Sequence, residues 1–126
     1  MDTLNMKSLP FCALASALVL TGCQTARPLY YWGHYEPMTY QMYSAPQKAP
    51  PEKQIETMLE DEQKAASANL PAHPGFHAHL GYLYYQTGRY DLAQKEFEAE
   101  KRLFPESTQF IDRMMKQQQQ TAPKSS

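Results

Sequence analysis

The chain has 126 residues with 12 basic and 13 acidic side chains, which gives a formal net charge of −1. This length allows one small domain at most. A near-neutral charge without a basic stripe excludes the class of proteins that bind nucleic acid through their phosphates.

The N-terminus has the pattern of a secretory signal peptide over residues 1–22. Lys7 precedes an apolar run over residues 9–20, and this run is too short to span a bilayer as a permanent helix. Met6, directly before Lys7, is an alternative start to Met1.

The predicted signal peptide ends in Leu20-Thr21-Gly22-Cys23, which resembles the bacterial lipobox. The resemblance implies that Cys23 is acylated through a thioether and that acyl chains hold the mature chain to the membrane. Gln24 follows, where an Asp would imply retention in the inner membrane, so the resemblance implies an outer-membrane protein facing the periplasm. An ordinary signal peptide with an incidental cysteine is the alternative. Cys12 leaves with the signal peptide, so no disulfide is expected.

Residues 23–51 are predicted to form an extended, aromatic-rich tether. Five prolines over residues 28–51 argue against a continuous helix or a central strand. A disordered linker is normally poor in aromatic residues, so four of them are candidate partner-binding residues: Trp32, Tyr35, Tyr40 and Tyr43. Three interpretations are open: these side chains cover the chain's own helices, they contact a partner protein, or they rest at lipid headgroups. Stacking on carbohydrate such as peptidoglycan is a variant of the second.

Residues 52–116 are predicted to be the helical domain, and its first helix lies before Pro71. The apolar stripe of this helix is Ile55, Met58, Leu59 and Ala66. The acidic run over residues 60–62 is interpreted as a solvated face.

Residues 74–105 predict two amphipathic helices joined by a turn. The first places Phe76, Leu80, Leu83 and Tyr84 on one face, and the second does so with Tyr90, Ala93, Phe97 and Phe104. Gly88 can reverse the chain at positive φ, and Pro105 ends the second helix. The pattern therefore predicts an αα-hairpin.

This hairpin resembles a tetratricopeptide (TPR) repeat, a helix–turn–helix unit of 34 residues. The matching positions, expected to form the structural core of the repeat, are Leu80, Gly81, Tyr84, Gly88, Tyr90, Ala93, Phe97 and Pro105. His77 replaces the usual Trp, and Glu100 stands where a small Ala is expected. The resemblance implies a concave surface lined by the first helix, with Tyr82, Tyr85 and Gln86 as candidate partner-binding residues. The alternative is that these tyrosines pack against the aromatic tether.

A capping helix is predicted after Pro105, with an apolar face formed by Phe110, Ile111, Met114 and Met115. Residues 117–126 are polar and low in complexity and are predicted to be a disordered tail. The expected fold is all-α: a TPR-like hairpin with one flanking helix before it and a capping helix after it.

His73, His77 and His79 suggest a metal site, but their spacing does not bring three ligands to one side of a helix. No nucleophile, base or phosphate-loop pattern accompanies them. We therefore expect no enzyme activity, no metal and no cofactor.

Repeats of this kind usually need three or more stacked copies to bury their apolar faces. The chain holds one clear copy, so part of its apolar surface must be buried in another way. We expect this from the aromatic tether, from self-association or from a partner protein.

The chain also resembles a family of small uncharacterised bacterial lipoproteins. The resemblance rests on the aromatic run at residues 31–35, the run at residues 74–81 and Glu98-Ala99-Glu100-Lys101. It implies an accessory lipoprotein encoded beside a curli-secretion-channel-like lipoprotein. Three hypotheses follow: an adaptor or assembly factor for an envelope complex, a pilotin-like carrier of a channel subunit, and a peptidoglycan-binding lipoprotein.

Overall fold

The structure, a computed structural model, describes residues 26–121 and is helical throughout its regular elements. The predicted signal peptide, Cys23 and the last five residues of the predicted tail lie outside the described residues. The α-helices are α1 (Tyr35–Ser44), α2 (Pro51–Ser67), α3 (Phe76–Gln86), α4 (Tyr90–Leu103) and α5 (Thr108–Thr121). Short 3-10 helices, Pro46–Lys48 and Pro105–Ser107, precede α2 and α5. The all-α prediction is confirmed.

The α3–α4 hairpin forms the centre of the core. Leu80 and Leu83 of α3 are fully buried, and Phe97 of α4 is 1% exposed. Gly81 is the point of closest approach, because a Cβ atom there would lie 2.6 Å from Phe97 Cε1 and 3.1 Å from the carbonyl oxygen of Ala93. A side chain at position 81 would separate the two helices, which explains the Leu-Gly pair of the repeat pattern.

The turn between α3 and α4 has the hydrogen bonds of a Schellman motif. Gly88 has φ +74°, and its amide donates to the Tyr85 carbonyl at 3.0 Å. The Arg89 amide donates to the Tyr84 carbonyl at 2.8 Å. These bonds satisfy carbonyls that the end of a helix otherwise leaves without partners, so the role predicted for Gly88 is confirmed.

Tyr90 departs from its predicted place in the core. Its side chain is 48% exposed, and its ring contacts Tyr85 edge-on at 5.2 Å between centroids. Tyr90 is the first residue of α4 and lies beside the turn, so its ring packs at the edge of the hairpin and not in the core. The other predicted core positions of the repeat behave as expected, with Leu80, Gly81, Tyr84, Ala93 and Phe97 buried and Pro105 directly after α4.

Helix α2 packs with a different register from the predicted stripe. Ile55 and Met58 are buried as expected, but Leu59 is 37% exposed and Ala66 is exposed. Asp61 and Ala65 are buried in their place. The prediction that residues 60–62 form a solvated face is therefore wrong at Asp61, because this carboxylate serves a hydrogen-bonding partner from the tether.

The tether is not extended throughout, because residues 35–44 form α1. Three of its five prolines lie in the first turn of a helix: Pro37 in α1, Pro46 in a 3-10 helix and Pro51 in α2. The first turn of a helix tolerates proline, since its amides have no acceptor within the helix. Met38 of α1 is buried against the core.

Helix α5 extends beyond the predicted boundary at residue 116 and continues to Thr121, the last residue that the structure describes. Ile111 is fully buried, and Gln118, inside the predicted tail, is 8% exposed. Gln118 is held because its backbone carbonyl accepts a hydrogen bond from the Tyr85 hydroxyl of α3. Between residues 26 and 121, none of the helices is both long and apolar enough to cross a bilayer.

Candidate functional site

The candidate site is an open groove between α3 and α5, hereafter the α3/α5 groove. It encloses about 820 Å³. Its lining residues are Tyr82, Tyr85 and Gln86 of α3, Tyr90 of α4, and Phe110, Arg113, Met114 and Gln117 of α5.

The helical period of α3 separates the groove from the core. Tyr82, Tyr85 and Gln86 stand at i, i+3 and i+4 and share one face of the helix. Leu80, Leu83 and Tyr84 face the core. The groove therefore uses the side of α3 that the hairpin leaves uncovered.

Two contacts organise this face of α3. The Tyr85 hydroxyl donates to the Gln118 carbonyl and so ties α5 to α3. The Gln86 amide nitrogen donates to the Tyr82 hydroxyl at 3.0 Å. Tyr82 and Tyr85 thus differ in their contacts. Tyr85 links α3 to α5, whereas Tyr82 lies exposed at the edge of the groove.

The aromatic walls of the groove are accessible. Tyr82 is 39% exposed, Tyr90 48% and Phe110 60%. Isolated exposed aromatic residues are common on protein surfaces, but several around one concavity are typical of a binding site.

Arg113 supplies the charge of the groove. It is the one charged residue among the lining residues, and its Nε donates to the Gln109 carbonyl at the long distance of 3.4 Å. The neighbouring Asp112 is engaged by Lys101 Nζ at 3.2 Å. The groove therefore combines aromatic surface with a positive group.

Glu100 is a buried structural carboxylate that organises the start of α3. It is fully buried and accepts hydrogen bonds from the Gly75 amide at 2.8 Å and the Ala78 amide at 3.3 Å. The Ser107 hydroxyl lies 3.4 Å from the same carboxylate. Glu100 of α4 therefore caps the N-terminus of α3, where the helix dipole favours a negative charge. This capping role explains why Glu100 stands where the repeat pattern has a small residue.

Asp61 is a second buried carboxylate, and it anchors the tether. The His34 amide donates to it at 2.7 Å, and His34 Nδ1 lies 2.8 Å from its other oxygen. Gly33, at φ +47°, allows this approach, since a Cβ there would overlap the carboxylate. In the sequence, the pair Gly33-His34 directly before α1 could have indicated this contact, but it was not used for that prediction.

The three histidines that suggested a metal site have separate surroundings. His73 is 1% exposed, and its ring stacks on Trp32 with 4.4 Å between centroids and an interplanar angle of 2°. His77 Nδ1 lies 2.7 Å from Glu96 Oε2 of α4. Burial, reinforced by the nearby His73, lowers the pKa of His79. Nowhere between residues 26 and 121 do three or more histidine, cysteine or acidic side chains meet in a metal-binding arrangement.

The residues predicted to bind a partner fall into three places. Tyr82, Tyr85 and Gln86 line the α3/α5 groove. Trp32 and Tyr35 pack on His73, with Tyr35 in edge contact at 4.3 Å. The structure brings neither of the remaining two into these groups, because Tyr40 and Tyr43 on α1 are 73% and 88% exposed.

The two interpretations for the tyrosines of α3 can be compared with their contacts. Tyr85 contacts Gln118 of α5 through its hydroxyl and Tyr90 of α4 through its ring. Sequence reasoning missed the groove residues Tyr90, Phe110, Arg113, Met114 and Gln117 as candidates. The available signal was the position of α5 after Pro105, where the first helix of a following repeat would begin.

Comparison with known proteins gives one match. No curated protein and no solved structure matches the chain. A family model described as a domain of unknown function, DUF4810, matches residues 29–114, which is more than half of the chain and covers the Trp32–His73 stack, the hairpin and most of the groove. The chain therefore belongs to the DUF4810 family.

Proposed function

We propose that the protein is a non-enzymatic, lipid-anchored outer-membrane protein that binds a segment of an envelope protein in the α3/α5 groove. The observation that carries this proposal is the set of exposed aromatic side chains around one concavity, Tyr82, Tyr90 and Phe110. Aromatic residues contribute large contact areas at low entropic cost and dominate binding at protein interfaces.

The chemistry of the groove indicates the chemistry of its partner. Arg113 stands among aromatic and amide side chains, so a carboxylate on the bound segment is favoured there. The partner is therefore a protein segment that carries apolar or aromatic side chains beside an acidic group. An envelope complex containing a curli-secretion-channel-like lipoprotein is the setting implied by the sequence resemblance.

The anchor is supported by the sequence at the N-terminus. Leu20-Thr21-Gly22-Cys23 ends the apolar run, and Gln24 follows the cysteine. Several acyl chains hold a protein on a membrane stably, unlike a single myristoyl chain. Replacing Cys23 with Ser is expected to abolish acyl labelling and to release the protein from membranes, and unchanged fractionation with membranes would contradict the anchor.

Site-directed photo-crosslinking tests the groove in cells. A photoreactive amino acid is placed at Tyr82 or at Phe110, with exposed Glu56 on α2 as the control position. Both groove positions are expected to give the same adduct, which mass spectrometry identifies, and the control position is expected to give none. Adducts at Glu56 that match those at the groove, or none at any position, would contradict the proposal.

The same cells distinguish the adaptor from the pilotin-like carrier. Loss of an adaptor leaves the partner subunit at the outer membrane but unassembled, whereas loss of a carrier misplaces the subunit in fractionated membranes. Fractionation of the crosslinked partner in a deletion strain separates these outcomes.

A further inference from the structure

Tyr40 and Tyr43 form the outer face of α1 and lie outside the α3/α5 groove. Tyr43 is 88% exposed and Tyr40 is 73% exposed. They stand at i and i+3, so both lie on one side of the helix. Met38 and Tyr35 turn to the other side and pack against the core. Helix α1 thus has a buried face and, opposite it, an aromatic face that residues 26–121 leave exposed.

We propose that this face of α1 rests in the headgroup region of the membrane that carries the lipid anchor. The proposal rests on the anchor in the proposed function and adds to it a defined contact between protein and lipid.

The chain length before α1 keeps this helix near the bilayer. Among residues 26–121, Tyr31 is the first with a backbone hydrogen bond to the domain, through its amide to the Pro71 carbonyl at 2.8 Å. Tyr31 follows Cys23 by eight residues, and a fully extended chain of that length spans about 28 Å at most. An acylated Cys23 therefore confines the start of the domain to the membrane surface.

The attachment of α1 to the domain makes its position definite. Besides the Tyr31 amide, the His34 amide donates to the buried Asp61 at 2.7 Å directly before the helix. Trp32 stacks on buried His73. Helix α1 is thus held by the folded domain, so its outer face has a fixed orientation relative to that domain.

The side chains of this face suit a lipid interface and not an electrostatic attachment. A tyrosine ring with a terminal hydroxyl is favoured at the level of the headgroups, where one end is apolar and the other is wet. Glu36 is the charged residue of α1, and the last turn of the helix carries no basic side chain. Contact with lipid should therefore not require anionic headgroups.

Spin-labelled vesicles test the contact with the acylated, full-length protein. The protein carries Tyr43→Cys labelled with an environment-sensitive fluorophore and is reconstituted in vesicles of zwitterionic phosphatidylcholine. The control is Gln86→Cys with the same fluorophore, because Gln86 is exposed in the α3/α5 groove. Each substituted residue is exposed, and Gln86→Cys loses only a hydrogen bond to the exposed Tyr82 hydroxyl, so both variants should keep the fold.

We expect spin-labelled lipid to quench the fluorophore at position 43 several-fold more strongly than the one at position 86. Equal quenching at both positions would overturn the inference. Protection of position 43 in native envelopes but not in vesicles would also overturn it, in favour of a protein that covers α1.

The anchor is tested separately in the same samples. Flotation of the protein with the vesicles and the mass of its acylated N-terminus report on Cys23, whichever way the quenching turns out. A protein that floats without quenching at position 43 contradicts only the α1 contact, whereas a protein without acyl chains contradicts the proposed anchor.

Discussion

At the scale of single residues, two buried carboxylates join segments that are distant in sequence. Glu100 caps the start of α3 from α4, and Asp61 of α2 holds the backbone and ring of His34. A carboxylate is stable in such a place when amide donors replace the water that it loses. These residues therefore limit which segments can come together.

Glu100→Ala is expected to destabilise the protein although it restores the residue type of the repeat pattern. The change leaves the amides of Gly75 and Ala78 without their acceptor, at a cost of about 1–3 kcal/mol in the free energy of unfolding. Urea denaturation followed by circular dichroism measures it. Glu98→Ala is the control, since Glu98 is exposed and pairs only with Lys101. A Glu100→Ala protein as stable as the control would show that the cap is not needed.

Gly81→Ala is expected to force α3 and α4 apart. The new methyl group would collide with the ring of Phe97, and overpacking of this kind costs about 1–3 kcal/mol. The double variant Gly81→Ala with Phe97→Leu makes room for the methyl group and should be more stable than the sum of the two single changes predicts. Strictly additive free energies of unfolding would contradict the proposed contact.

His79 is expected to make stability depend on pH below neutrality. Burial lowers the pKa of His79 in the folded protein, with His73 adding to the effect. As the pH falls through about 6.5, the unfolded chain takes up a proton that the folded chain does not, so stability decreases. The loss continues until the pH reaches the lowered pKa. Melting temperatures at pH 7.5 and 5.5 should differ more for the wild type than for His79→Gln, and an equal difference would contradict the prediction.

At the scale of helices, the local residue pattern sets which faces of α3 and α4 are buried, whereas a tertiary contact sets the buried face of α2. The faces of α3 and α4 follow the 3.6-residue period, with Leu80, Leu83 and Phe97 buried as predicted. Pro51 marks the start of α2 and Pro105 follows the end of α4 as predicted, whereas Pro37 lies within α1, where the prolines had argued against a helix. In α2, however, the stripe shifts toward Asp61 and Ala65, because the tether adds a neighbour on that side.

Asp61→Ala is expected to release α1 and the tether while leaving the hairpin intact. Without the carboxylate, the His34 amide and ring lose their common partner in α2. Hydrogen exchange should then accelerate in peptides covering residues 31–44 and stay unchanged in α3 and α4. The control is Glu60→Ala, an exposed neighbour that pairs with Lys64 on the helix surface. Equal exchange in the two variants would contradict the role of Asp61.

At the scale of the whole molecule, the TPR-like hairpin of α3 and α4 packs against elements that are not TPR repeats. The tether and α1 cover one part of the core through Tyr35 and Met38, and α5 covers another through Ile111. The need for cover inferred from the repeat count is thus met partly within the chain. Among residues 26–121, the aromatic residues of the α3/α5 groove and of α1 stay exposed in spite of this cover.

Adjacent residues of α5 are expected to separate stability from binding. Ile111 is fully buried, so Ile111→Ala should cost about 2–5 kcal/mol in the free energy of unfolding. Phe110 is 60% exposed in the groove, so Phe110→Ala should change stability by less than about 0.5 kcal/mol while reducing crosslinking from position 82. Full crosslinking with Phe110→Ala would contradict the groove as the binding site.

The amino-acid sequence by itself determined the helical class, the hairpin with its turn at Gly88, and the inward faces of α3 and α4. These depend on neighbours three or four residues apart and on proline and glycine, whose backbone preferences act locally. It also suggested one wall of the groove, since Tyr82, Tyr85 and Gln86 share a face of one helix.

Only the tertiary structure decided the contacts between residues that are far apart in the sequence. Asp61 meets His34 at 27 residues' separation, Glu100 meets Gly75 at 25, and Tyr85 meets Gln118 at 33. No periodic pattern in the sequence encodes such pairs, because they depend on how helices pack after they have formed. For this reason the burial of two acids, the helix within the tether and the second wall of the groove became visible only in the folded chain.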